Sequence, residues 1–129
     1  MKKQALAVVF FVLIFSSSQA FAQCAKDMGQ LPKLSFANLT KSMLTDGMKR
    51  QLAPVAEKLR NFPNCRITII TYTPPPNFRQ MKGAENMSYK RANNVIRYLV
   101  EWEGISADRI SVLTDQPGGN EKLVSLIAD

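Results

Sequence analysis

Ile67-Thr68-Ile69-Ile70-Thr71-Tyr72-Thr73-Pro74, then Met87-Ser88-Tyr89-Lys90-Arg91-Ala92-Asn93-Asn94-Val95, then Gly104-Ile105-Ser106-Ala107-Asp108-Arg109-Ile110 form the centre of this 129-residue chain. The first segment is short, apolar and β-branched, which predicts a strand from Arg66 to Tyr72. Isoleucines fall on both of its faces, so it reads as a central strand. In the second, Ala92, Val95, Ile96, Leu99 and Val100 recur at helical spacing. That pattern predicts a helix from Ser88 to Glu103, with Ser88 as N-cap and Gly104 as the residue just past its end. The third segment returns to a strand, Arg109 to Leu113.

Working outward, Leu34-Ser35-Phe36 is a short strand candidate. Thr45 caps a helix starting at Asp46 and reaching about Asn61, with Leu52, Val55, Ala56 and Leu59 on one face. Pro54 predicts a kink or a later start, because proline removes a helix hydrogen bond. Thr73 to Glu85 is a loop stiffened by Pro74-Pro75-Pro76. Asp115 to Gly119 is turn chemistry, and Leu123 to Ile127 is the last strand. The order β-α-β-α-β-β, with right-handed crossovers, predicts an α+β two-layer sandwich: a small mixed sheet with two helices on one face.

The beginning of the chain carries a different signal. Met1-Lys2-Lys3, an apolar run from Ala5 to Phe15, and Ala20-Phe21-Ala22 are the three regions of a cleavable secretory signal peptide, here residues 1–22. The apolar run is shorter than the roughly 20 residues that span a bilayer, so no transmembrane segment is expected after cleavage. Gln23 stands where a lipoprotein signal needs a small residue before Cys24, which argues against lipidation. Residues 23–33 read as irregular and residues 34–129 as one domain. Losing Lys2 and Lys3 leaves 15 basic against 10 acidic residues, a net +5. Such a charge suits anionic envelope partners, but the basic residues are scattered, and export makes nucleic acid an unsuitable partner.

Export also places the two cysteines, Cys24 and Cys65, in an oxidising compartment. Their pairing would close a loop of about 40 residues, worth roughly 3–4 kcal/mol on the chain-entropy estimate. The sequence contains no histidine and no Cys-x-x-Cys, so no metal site, cofactor or redox role is expected. Without histidine, a spare thiol or a nucleophile elbow, catalysis has no visible machinery. Trp102, near the helix end, and Tyr72 read as packing residues, and Phe78 as folded under its loop.

The three opening segments together resemble the OmpA C-terminal-like domain family, over about Leu34 to Ile127. That family has a Gly-Tyr/His-Thr-Asp strand end, a Leu-Ser-x-x-Arg-Ala helix start and a Gly-Ile/Val-x-x-x-Arg-Ile/Leu exit. Thr71 to Pro74, Met87 to Ala92 and Gly104 to Ile110 occupy those places. The resemblance implies a non-catalytic periplasmic module, peripheral at the outer membrane, that associates with the peptide stem of peptidoglycan. It implies that an aspartate grips the diaminopimelate ammonium and that Arg91, as an exposed helix arginine, pairs with the carboxylate. Thr73 and Asn86 complete the implied ligand set, with Glu85 as a further substitute for a missing partner. The sequence departs from the pattern at Pro74, in the aspartate's place, and at Ala84, where asparagine is usual. The intervening loop is about two residues longer, and Asn120-Glu121-Lys122-Leu123 replaces Asn-Arg-Arg-Val. The alternative expectation is therefore a scaffold that has lost wall binding and serves as a protein–protein adaptor in the cell envelope.

Overall fold

The structure, a computed structural model, describes residues 23–74 and 86–129. The expected signal peptide, residues 1–22, and most of the expected loop, with Phe78, Ala84 and Glu85, lie outside the described residues. Four strands form one mixed sheet: β1 (Leu34–Ser35), β2 (Ile67–Tyr72), β3 (Ile110–Gln116) and β4 (Leu123–Ala128), in the spatial order β1-β4-β2-β3. β2 pairs with β3 in parallel and with β4 antiparallel, and β1 pairs with β4 antiparallel. β2 is thus central, as its isoleucines require. The fold is the α+β arrangement expected, with the last strand inserted between the first and second.

Alternation along the strands sorts the faces. Ile67, Ile69, Val124 and Leu126 point into the core. Against them pack Leu52, Val55, Ala56 and Leu59 of α2 (Asp46–Asn61) and Ala92, Val95 and Leu99 of the second long helix. Thr45 caps α2 as expected, its hydroxyl accepting from the Met48 amide at 3.2 Å. α2 runs through Pro54 instead of starting after it. Pro54 and Arg50 both face solvent, where water can satisfy the carbonyl that proline leaves without a donor.

The N-terminal segment differs from the irregular stretch expected. Residues 23–28 are helical, α1. Cys24 and Met28, four residues apart, share one buried face, and Gln23 donates to Asp27 at 2.7 Å across the same interval. Gly29, at φ +64°, ends the helix in the left-handed conformation that glycine adopts without strain. Cys24 is joined to Cys65 by a disulfide, which fastens α1 to the approach of β2.

The second long helix, α3 (Met87–Arg97), also differs at both ends from the sequence expectation. Ser88 is not its N-cap: Asn86 holds that place with φ +55° and makes no side-chain cap. Ser88 is the second residue of the helix, buried, with its hydroxyl used for tertiary contacts. At the far end the α pattern widens into a π turn, Tyr98–Trp102, in which the Glu103 amide reaches back five residues to the Tyr98 carbonyl at 3.1 Å. Gly104, at φ +71°, closes the helix as expected. The π turn is pinned by Tyr98, which donates to Glu103 at 2.8 Å, and by Arg60 of α2, which reaches the same carboxylate at 2.8 Å.

β3 extends three residues beyond the expected Leu113 because it contains a bulge. Ile70 pairs with Leu113, but Tyr72 pairs with Gln116, so two steps on β2 face three on β3. Asp115 absorbs the extra residue with φ +54°. Among the described residues no helix is long and apolar enough to cross a membrane.

Candidate functional site

The C-terminal end of β2, the start of α3 and the bulge of β3 meet at one mouth of the sheet. Thr71, on β2, is 1% exposed and its hydroxyl hydrogen-bonds the Ser88 hydroxyl on α3. The Ser88 hydroxyl also accepts from the Asp115 amide at 2.9 Å. Thr73, just past β2, donates its hydroxyl to the Asp115 carbonyl at 2.7 Å, and its amide donates to the Gln116 carbonyl at 3.1 Å. Two sides of the bulge are therefore clamped, and the Asp115 side chain is left exposed at the rim. It takes part in none of the ion pairs found among the described residues.

Asn86 and Asp115 are the two non-glycine residues with positive φ among those described. Both sit at this mouth. Asparagine and aspartate are the non-glycine residues that enter the left-handed region most readily, so both positions suit the tight turns of the chain here. Of the expected ligand set, Thr73 and Asn86 lie at the rim. Pro74, which stands where the family pattern has its aspartate, is half-buried at the strand exit. Asp115 entered the sequence analysis only as part of a turn. It had no local signal, because a bulge in a parallel pair is written in the register of two strands 40 residues apart rather than in either segment alone.

Arg91 is not the exposed helix arginine expected. It is 2% exposed, and it donates to the carbonyls of Asn38 at 2.8 Å, Lys41 at 2.8 Å and Glu121 at 2.6 Å. Its guanidinium also lies 4.5 Å from the centre of the Phe36 ring. Burial lowers its pKa below the usual arginine value, yet a guanidinium stays charged throughout the physiological range. With five N–H groups on arginine, three are spent on backbone. Arg91 thereby ties α3 to the segment after β1 and to the approach of β4. Asn94, one turn on, donates to the Ser42 carbonyl at 2.7 Å and extends the same seam. The other motif arginine behaves alike: Arg109 donates to the carbonyls of Phe62 at 2.8 Å and Cys65 at 2.7 Å.

Two expectations away from the mouth also resolve. Tyr72 packs on the open face of the sheet, its hydroxyl 2.9 Å from that of Ser125. Trp102, expected to pack, is 77% exposed. Its position seven residues after Val95 and three after Leu99 would bury it in a regular helix, but the π turn drops it back around the axis and outward. No cluster of metal-ligating side chains occurs among the described residues.

Comparison with known proteins places this geometry. A family model described as OmpA family matches residues 39–125. Outer membrane protein Omp38 of Acinetobacter baumannii is 34% identical over 90 residues, 67% of this chain but 25% of that protein. The chain thus spans a quarter of the length of the curated relatives it matches. Among solved structures, the periplasmic domain of Helicobacter pylori MotB superposes with TM-score 0.58 at 17% identity, covering 78% of this chain and 84% of that one. A putative MotB-like protein from Desulfovibrio vulgaris gives 0.57 at 18%, covering 91% and 96%. The peptidoglycan-associated lipoprotein of Burkholderia pseudomallei gives 0.52 at 18%, covering 75% and 89%. At these identities the structural likeness establishes the fold, and the family match establishes the lineage: the chain belongs to the OmpA family.

Proposed function

We propose that this protein is a non-catalytic cell-envelope module that binds the peptide stem of peptidoglycan at the mouth formed by β2, α3 and β3. The observation that carries the reading is the clamped, left-handed Asp115 beside Thr73. A zwitterionic stem needs an anion for its ammonium, and Pro74 supplies none. Asp115 presents a carboxylate from the neighbouring strand, next to the residue that precedes Pro74. Thr73 and Asn86 flank it with polar groups. Arg91 is a positioning residue: it fixes α3, whose start forms one side of the mouth, against the segment after β1 and the approach of β4. Residues 1–22 act as a cleaved signal peptide, and the mature chain resides in the periplasm, peripheral to the outer membrane.

The test is co-sedimentation of the folded protein with purified sacculi. Wild type sediments, Asp115→Asn loses most of that binding while keeping its melting temperature, and Pro74→Asp strengthens it. An Asp115→Asn protein that sediments as well as wild type overturns the assignment.

A second reading, the envelope adaptor, draws on the commitment of Arg91 to three backbone carbonyls. If wild type does not sediment and Pro74→Asp changes nothing, the scaffold has given up the wall and the adaptor reading stands.

A further inference from the structure

The far end of α3 carries a feature that wall binding does not use. Trp102 and Met43 are exposed to 77% and 76%, the two most exposed large apolar side chains among the described residues. They flank a cleft of about 160 Å³ with Leu44 and Tyr98 at its sides. That volume suits one large apolar side chain. Lys49 sits at the rim, 5.7 Å from the centre of the Trp102 ring, and has no carboxylate partner among the described ion pairs. Arg97, across the cleft, is held loosely by Glu101 at 3.6 Å. The tryptophan owes its exposure to the π turn, a backbone deviation frequent at functional sites.

The chemistry of the lining narrows the occupant. A sugar stacked on an indole also needs uncommitted donors and acceptors around the ring. Here one Asn94 N–H is given to the Ser42 carbonyl and the Tyr98 hydroxyl to Glu103. Around them the lining offers apolar surface, Lys49 outside the described ion pairs, and Arg97 set loosely against Glu101, so cations outnumber carboxylates two to one. Tryptophan, methionine and arginine are the residues enriched in protein–protein contacts. A second copy of this chain is disfavoured, because residues 23–129 carry a net +5 and like charges would meet. We infer that the Trp102–Met43 cleft docks an acidic segment of another envelope protein, which inserts one apolar side chain between them and sets its carboxylates against Lys49 and Arg97. This site is independent of the stem-binding mouth.

Trp102 is the sole tryptophan, so its fluorescence reads the cleft directly. The folded protein is titrated with a short synthetic peptide carrying one phenylalanine flanked by glutamates, with the same peptide bearing lysines, and with glycan strands stripped of their stems. The acidic peptide shifts the emission to the blue and saturates. Lys49→Glu weakens it at least about tenfold, as loss of a complementary charge with gain of a repulsive one requires. Met43→Ala also weakens it, whereas Tyr89→Ala, altering an exposed residue at the other end of α3, leaves it unchanged. The inference is overturned if the acidic peptide gives no saturable shift, if the lysine peptide binds equally, or if only the glycan strands shift the emission. Sacculus binding by the same variants is unaffected in every case, so failure here leaves the wall-binding reading to its own test.

Discussion

Ser88 on α3 accepts the backbone amide of Asp115 on β3 at 2.9 Å, 27 residues away in the chain, while its hydroxyl also meets that of Thr71. One buried hydroxyl therefore couples a helix start, a central strand and a bulge. Replacing it with alanine leaves the Asp115 amide and the Thr71 hydroxyl without their partner. Ser88→Ala costs about 1–3 kcal/mol, the usual penalty for orphaned buried polar groups. Denaturant unfolding measures that loss; under the proposed wall-binding function, sacculus co-sedimentation falls with it because Asp115 no longer holds its conformation.

Arg91 makes a stronger demand. Truncation to alanine deprives three carbonyls of donors at once and removes the cation stacked on Phe36. The expected destabilisation is at least about 3 kcal/mol, summing several unsatisfied groups. Arg91→Lys recovers little of it, since an ammonium cannot span diverging carbonyls as a planar fork does. Thermal unfolding of both variants distinguishes this structural role from that of a ligand-only arginine, whose removal would leave the melting temperature unchanged.

Gly119 is required by close approach. A Cβ on it would fall 2.0 Å from the Tyr72 ring, and that ring is anchored through its hydroxyl to Ser125. Gly119→Ala therefore costs about 1–3 kcal/mol through overpacking. The Gly119→Ala/Tyr72→Ala double mutant shows a compensating coupling energy in a mutant cycle, because the second change removes the clashing ring.

Tyr98 provides a titration. Burial, then the hydrogen bond to Glu103 and the charge of Glu103, raise its pKa above the ordinary 10.0, against an opposing pull from Arg60. A raised folded-state pKa favours the protonated phenol in the native protein. The stability this contributes is full below pH 10 and is lost as pH rises above it through the folded value. Urea midpoints measured across that window fall for wild type and fall less steeply for Tyr98→Phe.

The sequence carried the architecture well because each element announces itself locally. The isoleucines of β2, the Leu52–Leu59 stripe of α2 and the Ala92–Leu99 stripe of α3 state both type and burial, and Thr45 and Gly104 mark their ends. What stayed hidden depends on partners far along the chain. The Ser88 hydroxyl has the residue type of an N-cap, and only the presence of Thr71 and Asp115 diverts it. Arg91 has the look of a surface charge until three backbone carbonyls converge on it. The bulge at Asp115, and with it the anion offered for the candidate site, exists only in the register between β2 and β3. Trp102 is turned outward by a π turn that no side-chain period encodes.

The strand order has a bearing on when this protein can fold. β4 is the last of the four described strands in chain order, yet it lies between β1 and β2 and is the only neighbour of β1 among the described residues. Until residues 123–128 are available, β1 has nothing to pair with and one edge of β2 stays open. A partly made chain therefore holds α2, α3 and the β2–β3 pair without a closed core. Closure of the core therefore waits on a strand that enters between two others rather than at an edge.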